Sequence, residues 1–108
     1  MFNYEEDIRQ SLIILLSTRT GERIHRPDYG TELYRYQFEQ LDLTMETMIK
    51  SAIEKAVLLY EPRVSLDRIE INKASIQDGI LIIELYYTIR MNNVKQELTY
   101  PIYFDSNR

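Results

Sequence analysis

Apolar residues recur near the start of the chain at Ile8, Leu12, Leu15 and Leu16, steps of four, three and one that put them on one face of a helix. Asn3 with Glu6 three positions later resembles a capping box, so the pattern predicts a helix over 4–17. Ile13 and Ile14 widen the stripe, as in a helix buried on more than one side or one that meets a partner. Residues 18–30 lose the period and hold two of the three Gly and one of the three Pro, the chemistry of an ordered loop. After a short amphipathic stretch from Leu33 to Phe38, the helical period returns at Met45, Met48, Ile49, Ala52, Ile53, Ala56, Val57 and Tyr60. Asp42 or Thr44 can cap this second helix and Pro62 bars it from continuing, which predicts 44–60.

Beyond Pro62 the pattern alternates. Val64 and Leu66 lie in one phase and Ile69 and Ile71 in the other, so a strand over 64–74 contains a bulge near Asp67 and Arg68. Asp78-Gly79 supplies a turn into a strand over 80–91, with Leu81, Ile83, Leu85, Tyr87, Ile89 and Met91 on one face. A two-residue Asn92-Asn93 turn sets Met91 opposite Val94 and a last strand over 94–104, pairing Tyr87 with Leu98, Leu85 with Tyr100, Ile83 with Ile102 and Leu81 with Phe104. Pro101 cannot donate to a ladder, which places the last strand at an edge. The predicted fold class is α+β: N-terminal helices packed on a three-stranded antiparallel β-meander, one domain over 1–108.

Composition narrows the chemistry. A chain of 108 residues, 44% hydrophobic and 28% charged, holds one domain with a real core. With no Cys and one His, His25, thiolate catalysis, Cys-ligated zinc and iron–sulfur clusters are excluded, and no cofactor or metal is expected. The balance of 13 basic against 17 acidic residues, net charge -4, argues against a nucleic-acid partner. No apolar run approaches the roughly 20 residues that span a bilayer and the first residues are acidic, so membrane insertion and export by a signal are not expected. Phosphate loops, nucleophile elbows and zinc helices are absent. Two carboxylates suffice for glycoside hydrolysis, and Glu54, Glu61 and Asp67 are the nearest candidates, but any chain with 17 acidic residues offers such a set, and no small-molecule substrate is expected. Nine Tyr suit contact surfaces.

Two features point outward. Arg19, Arg23 and Arg26 put three guanidinium groups into eight positions, either a solvated loop paired with Glu22 and Asp28 or a partner surface. Glu61-Pro62-Arg63 joins the long helix to the sheet, and its charges either cap that corner internally or face a partner.

Three segments together resemble a known family: Leu15-Leu16-Ser17-Thr18 leading into Gly21-Glu22-Arg23, then Arg26-Pro27-Asp28-Tyr29-Gly30, then Glu61-Pro62-Arg63. The chain looks like a baseplate wedge protein of contractile tails, the sheath-initiating subunit of phage tails and its counterpart in type VI secretion systems and related injection particles. It departs from the family's pattern at Tyr36-Gln37-Phe38-Glu39-Gln40. The resemblance implies a non-enzymatic subunit in a bacterial cytoplasm or virion tail, docked to other baseplate wedge proteins through Glu61, Pro62 and Arg63, with the loop arginines assisting. It also implies that the subunit nucleates the sheath, and an open sheet edge is a template for strand addition by sheath subunits, with Thr99 and Tyr103 on the last strand and Glu70 on the first as the candidate positions. The alternatives are a lysozyme-like glycoside hydrolase and a generic adaptor module.

Overall fold

The computed structural model describes residues 3–21, 25, 28–31, 33 and 42–103. The expectations for Glu22, Arg23, Arg26, residues 36–40 and Phe104 lie outside them.

The Asn3 Oδ1 accepts the Glu6 N–H at 2.7 Å and opens α1, Tyr4–Ser17, with Glu5, Glu6 and Asp7 in the first turn, where the helix dipole favours negative charge. Ile8, Leu12, Leu15 and Leu16 are buried as their spacing predicts; Ile13 packs against the core and Ile14 is exposed. The second helix, α2, Leu43–Tyr60, is capped by Asp42, whose Oδ1 accepts the Met45 N–H at 2.9 Å, while Thr44 lies inside the helix. It buries Ile49, Ile53, Ala56 and Val57. Met48, expected on this face, is 48% exposed, because the contact is narrower than the apolar stripe.

Both helices cover one face of a sheet made of β1, Val64–Asn72, β2, Ile80–Ile89, and β3, Val94–Tyr103, antiparallel in the order β1-β2-β3. Central β2 sends Leu81, Ile83, Leu85, Tyr87 and Ile89 into the core. Leu66 faces Tyr87 while Arg68 faces Tyr86, so Asp67 is the extra residue of the predicted bulge.

The strand ends and the hairpin differ from expectation. β1 stops at Asn72 rather than 74 because the Asn72 Oδ1 accepts the Ala74 N–H at 2.9 Å and turns the chain into a 3-10 turn, Ile76–Asp78. Gly79 follows at φ 77, the left-handed region the Asp78-Gly79 pair anticipates. β2 stops at Ile89 rather than 91. The Asn93 N–H donates to the Ile89 carbonyl at 2.8 Å with Asn93 at φ 60, closing a four-residue turn over 90–93 and leaving Met91 exposed. Ile89 therefore faces Val94, Leu85 faces Leu98, Ile83 faces Tyr100 and Leu81 faces Ile102, two residues from the predicted pairs. A shift of two preserves the face of every side chain, so the apolar assignment survives the change of register.

Backbone direction on β3 follows from two observations. Pro101, opposite Ile82, has no N–H to give, and the Glu97 carbonyl accepts from the Arg9 Nη1 at 3.2 Å. Because successive residues of a ladder point to alternate sides, the backbone groups of Lys95, Glu97, Thr99, Pro101 and Tyr103 face the outer edge. The same alternation turns Glu70, opposite Glu84, toward β2. Among the described residues, β1 and β3 each have an outer edge with no strand neighbour.

Burial raises the Tyr87 and Tyr100 phenols above their ordinary range. The unfolded chain then loses these protons first, so their contribution is fully present below about pH 10 and is lost as pH rises through the folded values. Thermal unfolding between pH 8 and 11.5 is expected to show the midpoint falling more steeply in the parent than in a Tyr87→Phe, Tyr100→Phe double variant; parallel curves contradict this.

Candidate functional site

The helix–sheet corner is built around a buried carboxylate. The Glu61 N–H continues the helical ladder to the Val57 carbonyl at 2.9 Å, and Pro62 then forces the chain out of the helix. Glu61 is only 4% exposed, and a buried charge costs free energy unless it is paired and hydrogen-bonded. Arg63 pairs it: Nε donates to Oε2 at 2.7 Å and Nη2 to Oε1 at 3.0 Å, a fork on both oxygens. The remaining donors cross to α1, Nη1 to the Asp7 Oδ2 at 2.9 Å and Nη2 to the Ser11 Oγ at 3.0 Å, with the guanidinium carbon 5.8 Å from the centre of the Tyr4 ring. The bonds to Glu61 and then Asp7 push the Arg63 guanidinium above its ordinary value, which keeps it charged.

The corner also holds the hairpin turn. The Arg90 N–H donates to the Arg63 carbonyl at 2.9 Å, and Arg90 Nε donates to the carbonyls of Pro62 at 3.1 Å and Val64 at 3.2 Å. Glu61 and Arg63 thus cap the corner internally, one of the two readings their sequence allows. Pro62 is exposed and the Arg63 side chain is 31% exposed, so one side of the same corner reaches the surface.

The loop segment folds back on the end of α1. The Thr31 N–H donates to the Thr18 carbonyl at 2.9 Å, the Thr20 N–H to the Thr31 carbonyl at 3.3 Å, and the Thr31 Oγ1 to the Leu16 carbonyl at 3.2 Å. Gly30 makes this approach possible: it sits at φ 111, and a Cβ there would lie 2.5 Å from the Thr18 oxygen. Tyr29 meets Tyr60 edge-on, ring centres 5.1 Å apart. Leu16 and Thr18, Tyr29 and Gly30, and Tyr60 beside Glu61 are therefore linked, so parts of all three resembling segments form one connected structure. Arg19 is exposed and its backbone bridges Thr31.

Thr99 and Tyr103 are exposed and lie elsewhere. Tyr103 faces Ile80 at one end of β2, while the corner meets Arg90 beyond the other end. The separation is roughly 30 Å along a ten-residue strand. The edge and the corner are two surfaces rather than one site.

The three candidate carboxylates do not converge. Glu54 is exposed on α2, both Glu61 oxygens are held by Arg63, and the Asp67 Oδ2 accepts from the Thr88 Oγ1 at 2.7 Å on the face of the sheet opposite the helices. Among the described residues, no group of three or more His, Asp or Glu is placed to hold a metal, and no helix is long and apolar enough to cross a membrane. Sequence reasoning missed Asp7, Ser11 and Arg9. Asp7 and Ser11 stand four apart on the polar flank of α1, a signal of a shared partner but not of which one.

A family model described as baseplate wedge protein gp25 matches residues 3–94. Baseplate protein W of Escherichia phage P2 is 35% identical over 97 residues, covering 90% of this chain and 81% of that protein. Baseplate wedge protein gp25 of Enterobacteria phage T4 is 31% identical over 83 residues, 76% of this chain, and the matched stretch spans 61% of the T4 protein's length. Among solved structures, a Geobacter sulfurreducens protein described provisionally as a tail lysozyme superposes with a TM-score of 0.91 at 31% identity, covering 100% of this chain and 97% of that one. A chain of the R2 pyocin baseplate after contraction superposes at 0.60 with 17% identity, over 93% of this chain and 85% of that one, a likeness of fold alone.

Removing Arg63 leaves Glu61 buried without its partner. Arg63→Ala is expected to lower the unfolding free energy by about 3 kcal/mol, the low end for breaking a buried pair because this guanidinium is partly exposed. Asp7→Ala, at the more exposed end of the network, is expected to cost at most about 1 kcal/mol. Equal losses in urea titrations contradict the fork as the dominant bond. Gly30→Ala combines a left-handed backbone with a backbone clash, and a loss of about 1 to 3 kcal/mol is expected in the same titrations.

Proposed function

We propose, from the premise that this chain belongs to the baseplate wedge protein gp25 family, that it is a structural subunit of the baseplate of a contractile injection machine. The match across residues 3–94 carries this reading. The subunit works in a bacterial cytoplasm or a virion tail, docks to other baseplate wedge proteins and starts sheath assembly without catalysing a reaction. Two surfaces support it. The corner offers Pro62 and the exposed side of Arg63 on a rigid internally paired frame, with Arg19, Arg23 and Arg26 assisting, and such a frame keeps its shape when a partner covers it. Among the described residues, the outer edge of β3 has no strand neighbour at Thr99 and Tyr103, and such an edge has the chemistry that accepts an added strand from a sheath subunit. An incoming strand places alternate residues over Tyr100 and Ile102, which are only partly covered, so apolar residues suit those positions.

The Geobacter sulfurreducens likeness makes cell-wall hydrolysis the second reading. Against it stand the scattered carboxylates, with the most buried one, Glu61, occupied on both oxygens. Incubation with peptidoglycan is expected to release no fragments; turnover abolished by Glu61→Gln overturns the non-enzymatic reading.

Docking and folding are separable on one variant. Arg63→Ala that remains folded below its midpoint is expected to lose co-purification with wedge proteins, whereas normal capture makes the corner purely structural. Proline at Thr99 or Tyr103 removes an outward N–H and no ladder bond, as Pro101 already does, so these variants are expected to fold, join baseplates and fail to start sheath growth. Normal sheath growth from both removes the β3 edge from the mechanism.

A further inference from the structure

Arg9 stands one turn after Glu5 on α1, the spacing at which an arginine ordinarily pairs with a carboxylate. Its hydrogen bond goes instead 88 positions along the chain, Nη1 to the Glu97 main-chain carbonyl at 3.2 Å. That carbonyl belongs to the outward set of β3. Arg9 adjoins Ile8, which is fully buried, so the side chain that reaches the edge grows from a fixed base.

Among the described residues, the groups available along the outer edge are uneven. Lys95, Thr99 and Tyr103 present both N–H and C=O, Pro101 presents C=O alone, and Glu97 presents N–H alone while Arg9 holds its carbonyl. A strand laid across Glu97 finds a guanidinium where it needs an acceptor, and its own N–H is left unpaired, which is costly in a closed interface. We infer that Arg9 latches the Glu97 half of the β3 edge, so that pairing with another strand is confined to residues 99–103 until this side chain lets go. The latch rests on the reading of β3 as a strand acceptor, and it guards the edge against a second copy of this chain in the way natural sheets blunt their edges.

The test uses the full chain alone, with sedimentation velocity over a wide concentration range and far-UV circular dichroism as the folding control. Arg9→Met keeps the apolar stem and removes every donor; Arg9→Ala serves if that variant does not fold. The expected result is self-association at a concentration at least tenfold lower than the parent, near-parent behaviour for Arg9→Lys, which can still donate, and reversal when Glu97→Pro, which removes the outward N–H of the released half, is added to Arg9→Met. Association no stronger than the parent, or association that Glu97→Pro leaves intact, overturns the latch. The two readings fail separately: normal sheath growth from both Thr99→Pro and Tyr103→Pro removes the β3 edge as a strand acceptor whatever the sedimentation shows, and a silent Arg9→Met removes the latch even where the proline variants stop sheath growth.

Discussion

A carboxylate at the exit of a helix, 4% exposed, is the constraint around which this molecule is arranged. Glu61 can stay charged there only if both oxygens have donors, and Arg63, two residues later and past a proline, is the nearest group able to fork onto them. Once Arg63 is aimed at Glu61, its remaining donors point at α1, and Asp7 and Ser11 complete the set. One ion pair thus fixes the angle between helix and sheet, the position of the first helix and, through the Arg63 carbonyl, the turn at Arg90. Burial of the pair adds little stability by itself. Its worth is directional, since the same guanidinium ties the end of α2 to Asp7 and Ser11 of α1.

Among the described residues the helices cover one side of the sheet, and its other side carries a ladder of polar contacts. Arg68 stacks 3.9 Å from the centre of the Tyr86 ring and pairs with Glu70, the Tyr86 hydroxyl donates to Glu84 at 3.2 Å, and Thr88 donates to Asp67. These contacts keep the apolar bodies on that face partly covered without a third layer. A three-stranded sheet of this kind has two edges, and the outer edge of β3 and the helix–sheet corner are the two surfaces proposed for partners. Family membership relates the chain to baseplate wedge proteins, and the sheet order leaves, among the described residues, β1 and β3 each with an outer edge that has no strand neighbour.

The α+β class, both helices and the order of the strands were legible because each rests on a periodicity of its own chain segment. Ile8, Leu12, Leu15 and Leu16 bury themselves whatever covers them, and the phase change after Leu66 announces the Asp67 bulge without reference to a neighbour. Asn3 and Asp42 cap their helices through bonds to residues three positions away. The hairpin shows the boundary of that reasoning. Asn92-Asn93 allows a two-residue turn, yet the Asn93 N–H turns back to the Ile89 carbonyl, which ends β2 early and lengthens the turn to four residues, while the Arg90 N–H faces β1 and bonds to Arg63.

What the sequence determined by itself, then, is everything set within about four residues: helix faces, caps, the bulge, the edge position of a proline-bearing strand and the presence of a charged helix–sheet corner. Only tertiary structure decided that Arg63 reaches Asp7 and Ser11, 56 and 52 positions away, that Arg9 holds the Glu97 carbonyl, and that Glu54, Glu61 and Asp67 lie apart. The reason is one of range. A periodicity is a property of neighbours along the chain, whereas the partner of a long cationic side chain depends on which distant backbone or carboxylate the packed core brings within about 3 Å, and composition carries no record of that.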